Sequence, residues 1–307
     1  MAKYSIRNLF QIDIPAEIMI EGGTPGHPDI PQADPFYVFR KQILSDLFTW
    51  MNLEECSLYI TGPTGSGKSS LIIETAARLN IPLYNIVAHS RLETPEMIGG
   101  YRLNSQGGMD FHYGPLVKAM KEGGWFLLDE GDLLDPSTAA GINNVAEGRS
   151  LTIPETGEVV APAKGFRFII TANSNGSGDS TGLYQGVLRQ NMAFLDRFYM
   201  FEIGYSDPQI EIGILEKITP SVVEALRTRM VQFANEVREL FIKGEVEVTL
   251  STRTLCRWAK IMAFQGKAAK AGGPNIIIHS FDRALGFKAE PDTRQGLHEV
   301  LQRHFGF

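Results

Sequence analysis

The chain has 307 residues, with 29 Lys and Arg against 35 Asp and Glu, a net charge of −6 and a pI near 5.6. This mild acidity argues against a protein that works by blanket attraction to DNA or anionic lipid, although it leaves room for a local basic groove. The length suits about two domains at roughly 150 residues each, and the widely separated Cys56 and Cys256 read as thiols of a reducing compartment rather than as a disulfide.

In chain order, the first 35 residues are punctuated by Pro15, Gly22, Gly23, Pro25, Gly26, Pro28, Pro31 and Pro35. That spacing is too dense for a long helix and predicts an N-terminal extended arm, residues 1–38, packed on a core; a disordered tail is the competing reading, against which Ile12, Ile14, Ile18, Met19 and Ile20 speak. Apolar residues at helical spacing predict a helix over 39–50. Strands are expected at 57–60, 82–88, 125–128 and 166–171, alternating with helices at 69–79, 115–121 and 137–147. Such alternation implies an α/β core, residues 39–205, with a parallel sheet between helices, in an order the alternation does not give. After Tyr205 the pattern becomes helical, at 210–218, 221–242, 252–264 and 293–304. Breaks fall at Gly244 and Gly272-Gly273-Pro274, and a short strand is expected at 245–250. This predicts a smaller, mostly helical domain over 206–307. Met1 to Phe10 has no apolar segment followed by small residues, and no stretch approaches ~20 apolar residues, so the expected address is cytoplasmic, with no membrane partner.

The strongest local signal is Gly62-Pro63-Thr64-Gly65-Ser66-Gly67-Lys68-Ser69, between an expected strand and an expected helix. Glycines let the backbone wrap closely around phosphate oxygens, successive N–H groups point inward, and the helix N-terminus adds positive potential. Lys68 would set a cation against the β and γ phosphates of ATP, and the Ser69 hydroxyl can ligate Mg²⁺; Ser70 is grouped with the nucleotide-binding residues. A Gly-rich turn without function is the competing reading.

A second signal is the apolar run Trp125-Phe126-Leu127-Leu128 ending in Asp129-Glu130. Ligand sites of open α/β sheets lie at the carboxyl ends of strands. Asp129 would serve the Mg²⁺ shell, and Glu130 would orient and activate the attacking water. A third apolar run, Phe168 to Ala172, ends in Asn173, whose amide could hold that water from its other side; a turn-capping Asn is the plainer reading.

These three signals, in this order, resemble the AAA+ ATPases. Gly178-Asp179-Ser180-Thr181-Gly182-Leu183-Tyr184, followed by Gln190-Asn191 and Asp196-Arg197-Phe198, is similar to the MoxR branch and especially to the CobS subunits of cobalt chelatases. The resemblance implies a P-loop AAA+ core with a helical lid. It implies that Arg197 is the arginine finger reaching a neighbouring subunit's nucleotide, with Arg189 second and an ion pair to Asp196 the plain alternative. It also implies that Arg253 is the sensor-2 arginine, with Arg257 one helical turn away. Residues 99–114, with Tyr101, Arg102, Gly107, Gly108, Met109 and Phe111, and residues 150–162, with Thr156-Gly157, resemble inserted hairpins that line a ring's pore or face its partner. From the residues alone, each is a hairpin with a Gly turn.

Five cations and no acid lie between Ser251 and Ser280: Arg253, Arg257, Lys260, Lys267 and Lys270. They suit a nucleotide or an acidic partner, and equally a solvated helix face. The histidines show no metal-ligand spacing. By resemblance the chain is a Mg²⁺-dependent ATPase that forms a homo-oligomer, a hexameric ring, and remodels a partner carrying a von Willebrand A domain. Two other readings stay open: a nucleic-acid motor, and a nucleotide-gated switch with little turnover.

Overall fold

Residues 2–14, 18–178, 186–266 and 275–307 are described by the structure, a computed structural model. Pro15, the stretch 179–185, Lys267, Lys270 and the 272–274 turn lie outside the described residues. The described chain divides into two units. The first holds Met1–Asp34, Phe39–Pro63 and Lys68–Ile203; the second holds Pro35–Val38, Thr64–Gly67 and Gly204–Phe307. Among the described residues, no helix is long and apolar enough to cross a membrane, and both cysteines are free thiols.

The N-terminal residues are more regular than their Pro and Gly content suggests. β1 (Ala2–Ser5) pairs antiparallel with β2 (Met19–Gly22), and α1 (Ile6–Phe10) lies between them in sequence. Ser5 caps α1 by accepting from the Asn8 N–H. Ile6, Phe10, Ile14 and Ile20 are buried, while Ile18 and Met19 face out. Phe10 packs edge-on against Phe39 and Phe48, at 4.8 and 5.1 Å between ring centres. Pairing across an intervening helix is invisible to local composition, which is why an irregular arm was expected.

The helix α2 (Lys41–Asn52) buries Leu44, Leu47, Phe48 and Trp50. Then follow β3 (Ser57–Thr61), α3 (Lys68–Arg78), β4 (Leu83–Val87), the short α4 (Thr94–Ile98), a hairpin of β5 (Gly99–Leu103) and β6 (Met109–Tyr113), and α5 (Pro115–Glu122). Pro115 opens α5, where its missing N–H costs nothing, and Gly123 ends it in the left-handed region. β7 (Trp125–Asp129) leads through a 3-10 turn, Gly131–Leu133, to α6 (Pro136–Gly141) and α7 (Asn143–Ala146). The single helix expected over 137–147 is therefore broken at Ile142. Gly141 is a weak helix former, and the break turns Ile142 fully into the core. A second hairpin, β8 (Leu151–Thr152) with β9 (Val159–Val160), precedes β10 (Arg167–Thr171). α8 (Met192–Leu195) and β11 (Tyr199–Glu202), both too short to be legible, complete the unit.

The sheet is five-stranded and parallel, in the order β11-β3-β10-β7-β4. Thr171 pairs with Ile60, and Ile170 with Leu128. The strands that carry the three polar tips, β3, β10 and β7, are thus adjacent, and their carboxyl ends share one edge. Phe126, Phe168, Phe194 and Phe198 fill the core beneath.

The second unit contains α9 (Pro208–Ile218), α10 (Glu224–Ile242), α11 (Thr252–Gly266), α12 (Ile276–Ala284) and α13 (Pro291–Phe305). No strand forms at 245–250. The Leu250 carbonyl instead accepts from Arg238 Nε at 2.8 Å. Phe233, Trp258, Phe281 and Phe305 form an edge-on aromatic cluster with ring centres 5.3–5.9 Å apart. Phe233 is fully buried, so Phe233→Ala should remove about 3–5 kcal/mol. Native-state hydrogen exchange on α10 and α11 peptides would read the loss; protection lowered by less than about tenfold, 1.4 kcal/mol, would contradict this assignment of the core.

Candidate functional site

The turn after β3 opens with Gly62, whose φ of 143° is closed to ordinary side chains. A Cβ there would lie 2.1 Å from the Ile203 carbonyl oxygen, so only glycine lets the chain leave β3 so tightly. α3 begins directly at Lys68. Lys68, 8% exposed as a residue, donates through Nζ to the carbonyls of Gly62 at 2.8 Å and Pro63 at 3.0 Å, and to Asn173 Oδ1 at 3.0 Å. One residue on, Ser69 Oγ donates to Asp129 Oδ1 at 2.6 Å. Thr171 Oγ1, fully buried, donates to the same carboxylate oxygen. Ser66 is buried, and Ser70 half-buried in the first turn of α3. Sequence reasoning brought Lys68, Ser69, Asp129 and Asn173 to one place, and the structure joins them by hydrogen bonds. It missed Thr171, whose strand position between two buried apolar residues gave no polar signal.

Glu130 follows Asp129 in the left-handed region, at φ 56° and ψ 38°. A non-glycine residue there holds about 1–2 kcal/mol of strain, of the kind that collects at working sites. Its side chain is exposed. The next residue must be glycine, because a Cβ on Gly131 would meet Ile170 Cγ2 at 2.4 Å. The turn then buries Asp132 completely. Its Oδ2 accepts the backbone N–H groups of Asn173 at 2.9 Å and Ser174 at 3.0 Å. Burial raises the Asp132 carboxyl above the ordinary range, opposed by these amide bonds and by the charge of Lys68. Sequence reasoning missed Asp132 as well; an acid three residues beyond Asp129 was the available hint.

Arg197 lies at the end of α8, whose first turn Asn191 caps by accepting from the Ala193 N–H. Its Nε pairs with Glu147 Oε1 at 2.7 Å, not with Asp196, and its Nη1 donates to the Ala193 carbonyl. Glu147 also takes Arg149 Nε at 3.0 Å. Among the described residues, these contacts do not tie Arg197 to the Lys68 cluster. Arg189 is exposed and forms a bridge with Ser177.

Within the second unit, Thr64 and Gly65 line a cavity of about 290 Å³ with Arg253, Arg257 and Lys288. Arg253 is exposed at the start of α11. The lead-in to that helix is held by a buried ion pair. Arg238 Nη1 and Nη2 each bond a Glu211 carboxylate oxygen at 2.8 Å, and Thr252 Oγ1 donates to Glu211 at 2.6 Å. Such a bidentate pair fixes geometry as well as charge.

The structure also brings together His27, Asp29 and Glu122, which sequence spacing did not suggest. Their atoms are engaged with one another: His27 Nε2 lies 3.0 Å from Glu122, and the Tyr84 hydroxyl donates to both carboxylates. Burial and these two acids hold the Tyr84 phenol well above its ordinary range. The cluster fastens the segment after β2 to β4 and to the end of α5.

Comparison with known proteins agrees along both units. Residues 57–198 match the AAA domain (dynein-related subfamily), and residues 211–304 match the CbbQ/NirQ/NorQ C-terminal family. The aerobic cobaltochelatase subunit CobS of a Sinorhizobium species is 29% identical over 266 residues, covering 83% of this chain and 79% of that protein. An uncharacterized Staphylococcus epidermidis protein is 30% identical over 205 residues, covering 65% and 75%. A point-mutant form of RuvB from Thermotoga maritima superposes with a TM-score of 0.52 at 13% identity, over 79% of this chain and 68% of that one, which bears on fold alone. Three polar strand tips on one edge of a parallel sheet, followed by a segment that matches the CbbQ/NirQ/NorQ C-terminal family, agree with the family matches: the chain belongs to the AAA+ ATPases, in the MoxR branch and similar to CobS.

Proposed function

We propose that this ATPase works in the cytoplasm as a Mg²⁺-dependent hexameric ring that remodels a partner protein complex. The single observation that carries this reading is the convergence of Lys68, Ser69, Asp129 and Asn173 through bonds of 2.6–3.0 Å. Lys68 offers its ammonium to the β and γ phosphates, while Gly62 to Gly67 wrap them with backbone N–H groups. Ser69 and Asp129, a hydroxyl and a carboxylate, are the oxygen donors Mg²⁺ prefers; when bound, the ion supplies charge neutralisation at the phosphates. Glu130 takes the proton from the attacking water, and the Asn173 amide orients that water. Arg253 acts as the sensor-2 arginine toward the γ-phosphate, supported by its place in a cationic cavity lined by Thr64 and Gly65.

Arg197 serves the neighbouring copy. Its contacts are with Glu147 and the Ala193 carbonyl rather than with the Lys68 cluster, and an arginine finger supplied in trans makes assembly a condition of turnover. The ring would displace its hairpins during each cycle. Leu103 and Met109, cross-strand partners near the tip of the β5–β6 hairpin, are 78% and 62% exposed and offer an apolar contact to a partner. Similarity to a cobaltochelatase subunit supports a chelatase-like or maturation role with a von Willebrand A-domain protein.

Mixing subunits tests the ring. Arg197→Ala and Glu130→Gln chains should each be nearly inactive alone. Combined in equal amounts, they should recover up to about a quarter of wild-type turnover, because in a closed ring an Arg197→Ala site can borrow its finger from a Glu130→Gln neighbour. No recovery at any ratio would place Arg197 within its own chain.

A further inference from the structure

We propose that Asp132 is a positioning residue for ATP turnover: its buried carboxylate sets the backbone that aims the Asn173 amide. The inference rests on the reading of Asn173 as the residue that orients the attacking water. Asp132 lies one 3-10 turn beyond Asp129 and is fully buried. One carboxylate oxygen accepts both amides of the turn that leaves β10, Asn173 N–H at 2.9 Å and Ser174 N–H at 3.0 Å. The Asp132 carbonyl accepts Leu188 N–H at 2.9 Å. Two residues further on, the Leu134 carbonyl accepts Gln190 Nε2 at 2.8 Å, and Gln190 N–H donates to the Gly176 carbonyl at 2.9 Å. The Ser174 carbonyl in turn accepts the Tyr59 hydroxyl at 3.1 Å.

The turn after β7, the turn after β10 and the segment before α8 are therefore one hydrogen-bonded unit, with Asp132 in contact with the other two. Asn173 Oδ1 meets Lys68 Nζ at 3.0 Å from within that unit. A carboxylate is suited to this place because Oδ2 accepts two convergent N–H groups at the end of a side chain one bond longer than serine's, so a serine hydroxyl falls short of both amides and an apolar side chain accepts neither. Losing it frees the Asn173 backbone to shift, and a shift near 1 Å at a positioning group costs on the order of a hundredfold in rate. Nucleotide affinity, which depends on the loop ahead of Lys68, should move little.

The experiment compares Asp132→Ser, Asp132→Asn, Asn173→Ala and the Asp132→Ser/Asn173→Ala double variant in the full chain. Steady-state ATPase rates are measured beside equilibrium binding of a fluorescent ATP analogue. Asp132→Ser should lower kcat at least tenfold, with the dissociation constant within threefold. Asp132→Asn keeps an acceptor for both amides and should keep kcat within threefold. The double variant should match Asn173→Ala within twofold, since both changes remove the same placement. A folded Asp132→Ser chain with kcat within threefold of wild type, or a double variant whose losses multiply, would overturn the proposal while leaving Asn173 in its role. An Asn173→Ala chain of unchanged kcat would remove the reading of Asn173 itself, and the proposal with it. Should Asp132→Ser fail to fold, Asp132→Asn decides alone: retained turnover supports placement by hydrogen bonds, and a fall as deep as that of Asn173→Ala overturns it.

Discussion

Replacing Lys68 by Ala is expected to weaken ATP binding by about 30-fold to several-thousand-fold, the ~2–5 kcal/mol typical of truncating one side of a hydrogen-bonded charge pair. Lys68 Nζ is held by two carbonyls and an amide oxygen, at 2.8–3.0 Å. These three acceptors are neutral dipoles that orient the ammonium at the mouth of the turn. The fold should survive, because the Gly62 and Pro63 carbonyls border a turn and can accept from water once the side chain is gone. A fluorescent ATP analogue titrated into the variant, with circular dichroism to confirm folding, reads the effect directly. Lys68→Arg should not restore affinity: the planar guanidinium is a different donor shape and cannot make the same three contacts around a turn this tight. Unchanged affinity in Lys68→Ala would remove the phosphate-loop assignment.

The legible part of the site is the part written in contiguous residues. Gly62 to Ser69 specifies a backbone shape, a charge and a hydroxyl within a single turn, and the flanking strand and helix follow from apolar periodicity. Asp129, Glu130 and Asn173 were legible because polar residues at the end of an apolar run mark the carboxyl edge of a strand. The bonds that hold these tips in place were not legible. Asp132 reaches Asn173 across 41 residues, and Glu147 reaches Arg197 across 50. Neither acid stands out among its local neighbours, and the neighbouring Asp196 was the only ion-pair partner that adjacency could suggest. Thr171 shows the same limit: a β-branched residue suits a buried strand whether or not its hydroxyl has work to do.

Fold legibility followed a similar divide. Strand positions could be read from apolar runs, but their order depends on which crossovers pack, and alternation is silent on that. The break at Ile142 and the pairing of β1 with β2 were both decided by burial of apolar side chains in a core assembled from distant segments. At 245–250 a short strand was expected. The buried Arg238 guanidinium claims the Leu250 carbonyl instead, so the segment becomes the lead-in to α11 and to Arg253. A strand signal thus gave way to a buried charge whose donors had to be satisfied.

Glu130→Gln should leave ATP binding within about threefold of wild type and lower turnover by ~100-fold or more, the range that a general base contributes. The separation of the two effects follows from geometry. Lys68 and Ser69 are engaged with Gly62, Pro63, Asn173 and Asp129, none of which is Glu130. Glu130 instead projects from a left-handed residue at the end of β7, exposed beside that cluster. Glutamine keeps the length and the hydrogen-bonding reach of the side chain and removes its capacity to accept a proton from water. The glycine that follows cannot be replaced without striking Ile170, so the backbone that aims residue 130 is fixed by the sheet itself. The Gln variant should therefore retain ATP intact, visible as uncleaved nucleotide co-purifying through size-exclusion chromatography in magnesium. Turnover within about tenfold of wild type would assign the proton to another group and leave the strained conformation of Glu130 without a catalytic purpose.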